Sequence, residues 1–427
     1  MLQTEKSAIT TERIRPVFAS KGAAAGLTRR EWFLLLVLSA VQFTHILDFV
    51  IMMPLGPQFQ KDLHLSNQWF GFLVSAYAFS AAVSGLLAAW FMDRFDRKRA
   101  LLGLYAGFTV GTLCCAAAPN YALLLATRAL TGAFGGVVAA CILAIIGDAF
   151  PGPRRGRAMG AIMSAFSIAS VVGVPIGLKL ANMMTWRAPF AALGGVSMAV
   201  LVLIYLVLPP MHSHLIRGRQ INSLWTIFVQ PTHVRAYLLM TALVFSTFMI
   251  VPYLASYLVA NTGRTNDELP WVYSIGGGVT FVTMILFGWL SDRFGKLLMF
   301  RCLALFTMVP ILLVTNLPSV ALATALMVFT LFMVASSGRM VPAMALITAS
   351  ATPRNRGGFL SVNASVQQAA AGLASALGGL MLGQGINGEI TGFPLVGGLA
   401  CAATLASIWL AGHLRPADGG EDSTWEI

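Results

Sequence analysis

Charge is what this chain has least of. Of its 427 residues only 10% are Asp, Glu, Lys or Arg, while 57% are hydrophobic; an average soluble protein carries about 25% charged residues. That balance excludes an ordinary soluble domain. Acidic residues are the scarcest charges, 16 against 28 basic ones. Cysteine is nearly absent: all five fall in apolar runs, an odd number without ligand spacing, which argues against a disulfide framework or a metal site. The chain has no GxxxxGK[ST] loop, so nucleotide hydrolysis is not the expected energy source. HExxH and GxSxG are missing too, so neither an intramembrane enzyme nor a cofactor is expected.

What is present in abundance is long apolar segments. Spans are expected near 31–54, 69–92, 99–118, 121–147, 158–182, 188–209, 235–259, 270–291, 297–316, 319–347, 358–383 and 392–413. A helix of about 20 residues crosses the hydrocarbon core of a bilayer and satisfies its own backbone hydrogen bonds while doing so. The polar stretch up to Arg30 reads as a tail rather than a cleaved signal. Twelve spans put both termini on one side, and 22 of the 28 Lys and Arg fall on that side. The positive-inside rule makes it cytoplasmic. The net charge of +12 is therefore expected to record topology, not a nucleic-acid surface.

The chain divides into two halves. A cytoplasmic tail (1–30) precedes a six-helix bundle (31–209), a polar and basic linker (210–234) follows, and a second six-helix bundle (235–413) leads to a cytoplasmic tail (414–427). An offset of 199 residues pairs Asp93-Arg94 with Asp292-Arg293, Trp90 with Trp289, Pro119 with Pro318 and Arg157 with Arg356. Such duplication in a polytopic chain is a signature of transporters that rock two halves about a central site. Gly156, Gly160 and Ser164 are four apart, as are Ser80, Ser84 and Ala88, a spacing suited to close helix packing.

Several motifs resemble those of the major facilitator superfamily. GWLSDRFGK, with Gly288, Asp292, Arg293, Gly295 and Lys296, resembles its loop signature, and AWFMDRFDRKR is a copy in which Ala89 and Asp96 replace glycines. Arg128 and Gly132 in the fourth span, and Gly173, Pro175, Gly177, Trp186, Arg187 and Phe190 around the fifth, are similar to its drug:proton antiporter and sugar-efflux branches, although Val174 separates a Gly and Pro that are adjacent in the commoner antiporter form. The resemblance implies an all-α membrane protein of twelve transmembrane helices in two pseudo-symmetric bundles, in a bacterial inner membrane. It implies that Asp93, Arg94, Asp292 and Arg293 form a cytoplasmic gate. An aspartate at a helix end can pair with basic groups in one conformation only.

The stretch THILDFVIMMP holds the one acidic residue deep in a span, Asp48. Burying a charge there costs about 2.5 to 3.5 kcal/mol on insertion scales, which makes it a functional candidate. By helix rise Asp48 lies roughly 9 Å and Arg128 roughly 10 Å below the outer membrane face, so the two are expected to pair. Burial favours the neutral carboxyl and a guanidinium favours the carboxylate, so breaking the pair would load a proton. His45, one turn deeper, could relay it. Gln42, His45, Asp48 and Met52 share a helix stripe expected to face the cavity. Asp148 is expected to pair with the neighbouring PGPRRGR basic residues. Ser246, Tyr253, Tyr257, Asn363 and Gln367 are candidate cavity groups in the second half, and Arg339 either meets an anionic group or snorkels to headgroups. The expected function is a proton-coupled exporter, with an uptake symporter as the alternative. The expected partners are protons, a small-molecule substrate and the lipid bilayer, with the chain acting as a monomer.

Overall fold

In the computed structural model the described residues are 28–150, 152–211, 224–352 and 355–417, with no account of the side chains of residues 89–91, 93, 152–155, 224 and 225. Most of both tails and residues 212–223 of the linker therefore lie outside the described residues. The helices are α1 (Arg29–Ile51), α2 (Asn67–Phe91), α3 (Arg97–Ala117), α4 (Tyr121–Ala149), α5 (Gly156–Met183), α6 (Arg187–Val207), α7 (Pro231–Thr262), α8 (Leu269–Phe294), α9 (Lys296–Thr315), α10 (Leu322–Ala349), α11 (Arg356–Met381) and α12 (Phe393–Gly412). Eleven are both long and apolar enough to cross a membrane; α11 is long enough at 26 residues but richer in small and polar side chains. Twelve long helices among the described residues are consistent with the twelve spans expected from the sequence.

Helix ends follow local chemistry. Thr28 and Glu31 form a capping box at the start of α1. Ser66, Asp96 and Asn120 cap α2, α3 and α4 through their side chains. Four spans are interrupted. Turns follow Ile51 in α1, with a short helix Gly56–Asp62 beyond, and α7 breaks at Met249–Ile250 ahead of Pro252. In α5 a π-helical turn covers Ala169–Gly173, and α10 breaks at Arg339. Prolines and π-turns free backbone groups from the regular ladder, and such irregularities gather at functional sites.

The two loop-signature copies are built differently. Gly295 joins α8 to α9 at φ 91°, a conformation that favours glycine. Its counterpart Asp96 has φ −56° and replaces the glycine turn with side-chain bonds, accepting from the backbone N–H of Arg99 at 2.9 Å and of Met211 at 2.6 Å. The carboxylate thus caps α3 and ties down the chain leaving α6.

Packing distinguishes the two ends of the molecule. At the end away from the termini, residues of both bundles share one core, with Met52, Phe59, Phe70 and Trp186 beside Ile250, Tyr253, Leu254 and Phe329. Toward the end carrying the termini, here the basic end, the core splits. One cluster belongs wholly to the first bundle; the other belongs to the second, joined by Ala78. The far end is also closed by polar contacts: Gln58 Nε2 donates to Asn182 Oδ1 at 2.6 Å, and Asn182 Nδ2 donates across the seam to the Asn266 carbonyl at 2.7 Å. A two-stranded ribbon, β1 (Gly383–Gln384) with β2 (Ile390–Thr391), covers this end, and Asn67 Nδ2 reaches the Gly383 carbonyl. This is a far-end-closed conformation.

Along the seam α2 packs on α11. Ser75 Oγ lies 2.7 Å from the carbonyls of both Gly71 and Gly372. Within the first bundle, Cβ atoms at Gly132 and Gly136 would lie 2.8 and 2.7 Å from the Cα atoms of Tyr77 and Ala81, so glycine is what lets α4 approach α2. Close packing thus uses these positions, whereas Gly156 and Gly160, singled out by spacing, face open space.

Candidate functional site: a buried ion pair and a buried lone arginine

α1 turns two neighbouring residues in opposite directions. Phe49 faces the second bundle, its ring 5.9 Å from Phe248, while Asp48 points back into its own bundle toward α3 and α4. There Arg128 Nη1 donates to Asp48 Oδ2 at 2.7 Å and Thr112 Oγ1 donates to Oδ1 at 3.0 Å. Both charged side chains are 0% exposed. The Arg128 guanidinium lies 4.5 Å from the centre of the Tyr77 ring and 6.0 Å from that of Phe190, within cation–π range. The expected pairing is present. The expectation that its stripe faces a cavity is corrected: Asp48 and Met52 are fully buried, Met52 in the far-end core, whereas Gln42 is half-buried. Both hydrogen-bond partners of the carboxylate thus come from its own bundle.

His45 is buried beside Phe108, ring centroids 6.0 Å apart, and neither ring nitrogen has a hydrogen-bond partner among the described residues. A Cβ at Gly135 would come within 3.1 Å of its Nε2, so the glycine makes room for the ring. The structure therefore brings His45 near the pair without bonding it to Asp48. Tyr77 and Thr112 were missed by sequence reasoning because neutral polar groups in a span carry no charge signal.

The second bundle holds a different arrangement. Arg339 is also 0% exposed, so it does not snorkel. Nη1 donates to Thr404 Oγ1 at 2.9 Å, and Nη2 to Ser246 Oγ at 3.2 Å and Thr247 Oγ1 at 3.0 Å. Ser246 thus serves Arg339, joining α7, α10 and α12. Tyr253 and Tyr257, expected in the cavity, are packing groups of the far end. Tyr253 donates to the Ser375 carbonyl, and Tyr257 donates to that of Leu317 at 3.0 Å while stacking against Phe393. Their hydroxyls satisfy backbone carbonyls in a closed core. Asn363 is buried with its Oδ1 unpartnered, and Gln367 is half-buried.

At the basic end the expected gate is only partly visible. Arg94, Asp292 and Arg293 are exposed, Arg293 lying over Trp289, and the Asp93 side chain lies outside the described residues. Buried contacts are made a few residues on, by Asp96 and Arg97. Arg97 Nε binds Asp148 Oδ2 at 3.1 Å and its Nη1 donates to the Met92 carbonyl, so one partner of Asp148 is the first residue of α3; of the PGPRRGR arginines expected to pair with it, Arg154 and Arg155 have side chains outside the described residues. Adjacent motif residues with the same charge pattern could not be told apart by spacing.

The described residues thus form a helical bundle with eleven helices long and apolar enough to cross a membrane and an ion pair buried in the first half. The sequence profile of the Major Facilitator Superfamily matches residues 38–336 and 236–425. The chain belongs to that superfamily. It is 26% identical over 370 residues to YceJ of Bacillus subtilis, an uncharacterized MFS-type transporter, covering 84% of this chain and 91% of that one. A probable sugar efflux transporter of Helicobacter pylori is 23% identical over 53% of this chain and 58% of its own length. Among solved structures, a D-xylose-proton symporter superposes with a TM-score of 0.72 at 17% identity, covering 91% of this chain and 99% of that one. A bacterial homologue of the lysosomal transporter Spinster, inward-facing, gives 0.68 at 16%, covering 91% and 95%. These likenesses are of fold.

Proposed function

We propose that the chain is a proton-coupled secondary transporter that exports a small organic molecule by alternating access, with Asp48 as its proton-carrying group. The observation that carries this reading is the Asp48–Arg128–Thr112 cluster: a carboxylate buried in a span, charge-balanced by one guanidinium. In the far-end-closed conformation the carboxyl group accepts from both partners. Parting of the far-end core wets this region, water competes for Arg128, and the carboxyl takes a proton from the outer side. Return to the present packing restores the pair and drives the proton off on the basic side, which the charge distribution makes cytoplasmic. Each proton crossing 100 mV supplies about 2.3 kcal/mol. The likeness to a probable sugar efflux transporter favours export over uptake.

The test is transport in proteoliposomes with an imposed pH gradient, screening sugars, organic acids and amphiphilic drugs while following internal pH. Export predicts that substrate and protons move in opposite directions. Movement in the same direction would establish the symporter, and transport indifferent to the gradient would remove the coupling.

A further inference from the structure

By the 199-residue offset, Thr247 stands where Asp48 stands in the first half. The helix pair that joins Asp48 to Arg128 is repeated as α7 and α10, which Thr247 and Arg339 join, although the offset sets Met327 and not Arg339 opposite Arg128. The whole second half, 235–413, has four acidic residues, Asp267, Glu268, Asp292 and Glu389, all at helix ends or in loops. None forms an ion pair with Arg339 among the described residues. Among the described residues, two guanidinium groups are 0% exposed, Arg128 and Arg339, and only the first has a buried carboxylate against it; the other buried charges, Glu31, Asp96 and Arg97, lie at the basic end.

The hydroxyls around Arg339 are committed. Thr404 donates to the Ala400 carbonyl and Thr247 to that of Leu243, which leaves Ser246 to donate to Thr404. All three present oxygen lone pairs to the guanidinium, and Arg339 Nε has no acceptor among the described residues. Neutral oxygens satisfy donors but do not neutralise a charge, and an arginine keeps its proton. The cluster sits directly behind the seam between the bundles: Thr247 is half-buried, and the next residue, Phe248, meets Phe49 of the first bundle.

We propose that Arg339, with Ser246, Thr247 and Thr404, is the binding site for the anionic group of the transported molecule, and that this group is a carboxylate. The proposal rests on the reading of the chain as a small-molecule transporter and narrows its substrate to organic monoanions. A guanidinium fork matches a carboxylate in two parallel hydrogen bonds, and the free Nε is one of the donors such a bond requires. Recognition of a neutral sugar or a cation would leave the buried charge uncompensated.

The experiment is thermal stabilisation of the purified full chain in detergent at fixed pH and ionic strength, with matched pairs of probes: gluconate and glucose, lactate and lactamide, salicylate and salicylamide. At least one carboxylate should raise the Tm above its neutral partner, with an affinity at least tenfold weaker in Arg339→Gln. No difference between the members of any pair, or equal carboxylate affinity in Arg339→Gln, would overturn the proposal. Should Arg339→Gln not yield folded protein, Arg339→Lys keeps the charge but not the fork: a tenfold weaker carboxylate affinity supports the site, and an unchanged one rejects it. No pH gradient is involved, so failure here is distinguishable from failure of proton coupling at Asp48.

Discussion

Arg128 and Arg339 lie on corresponding helices of the two halves, α4 and α10, at different levels, since the 199-residue offset sets Met327 opposite Arg128; both are fully buried, yet they are solved in opposite ways. One closes on a carboxylate at 2.7 Å and lies over an aromatic ring. The other is held by three hydroxyls and keeps its charge. The difference teaches that the fold is duplicated but the chemistry is not: the first half balances its own charge, and the second leaves one for something else to balance.

That contrast can be broken from either side. The largest effect is expected for Asp48→Ala, which strands a buried guanidinium and should cost about 3 to 5 kcal/mol of stability. The exchanged double variant, Asp48→Arg with Arg128→Asp, should recover part of the loss; additive losses in thermal unfolding would argue against a direct pair. Thr112→Val removes one hydrogen bond to the carboxylate and should cost about 1.5 to 3 kcal/mol while leaving the ion pair in place. Asn182→Ala deletes a polar contact across the closed far end and should shift the conformational balance by about 1 kcal/mol, roughly fivefold, toward far-end opening. Labelling of a single cysteine placed at that end reads the change, and unaltered labelling would show that the apolar core alone holds the closure. Arg339→Met should have the smallest effect on stability, within about 1 kcal/mol of zero, because it deletes a charge with no carboxylate partner. A loss as large as that of Asp48→Ala would equate the two arginines and remove the contrast.

Much of this was legible in the sequence, for physical reasons. Span lengths are set by the bilayer, so twelve helices could be counted from apolar runs, and charge is so costly there that Asp48 and Arg128 selected each other. Direction was harder to read. A stripe at helical spacing says which residues share a face, not which neighbour the face meets, and Asp48 points into its own bundle while Phe49 takes the seam. Neutral groups were legible only in part: Ser246 was marked as a cavity residue, but Thr404, its partner around Arg339, gave no signal. Tyr253 and Tyr257 looked like ligands because a tyrosine in a span has an amphipathic shape, but each hydroxyl satisfies a backbone carbonyl in a closed core. Asp96 looked like a defect in a glycine motif, and it turns out to make the turn by capping α3 and holding Met211.

The central claim is that Asp48 carries the proton. Its most direct measurement is the internal pH of proteoliposomes when a transported substrate is supplied, with wild type and Asp48→Asn compared at matched protein content. Wild type should show a substrate-dependent proton flux. Asp48→Asn should show none, while still exchanging labelled for unlabelled substrate across the membrane without a gradient. A substrate-dependent proton flux of undiminished size in Asp48→Asn would contradict the account.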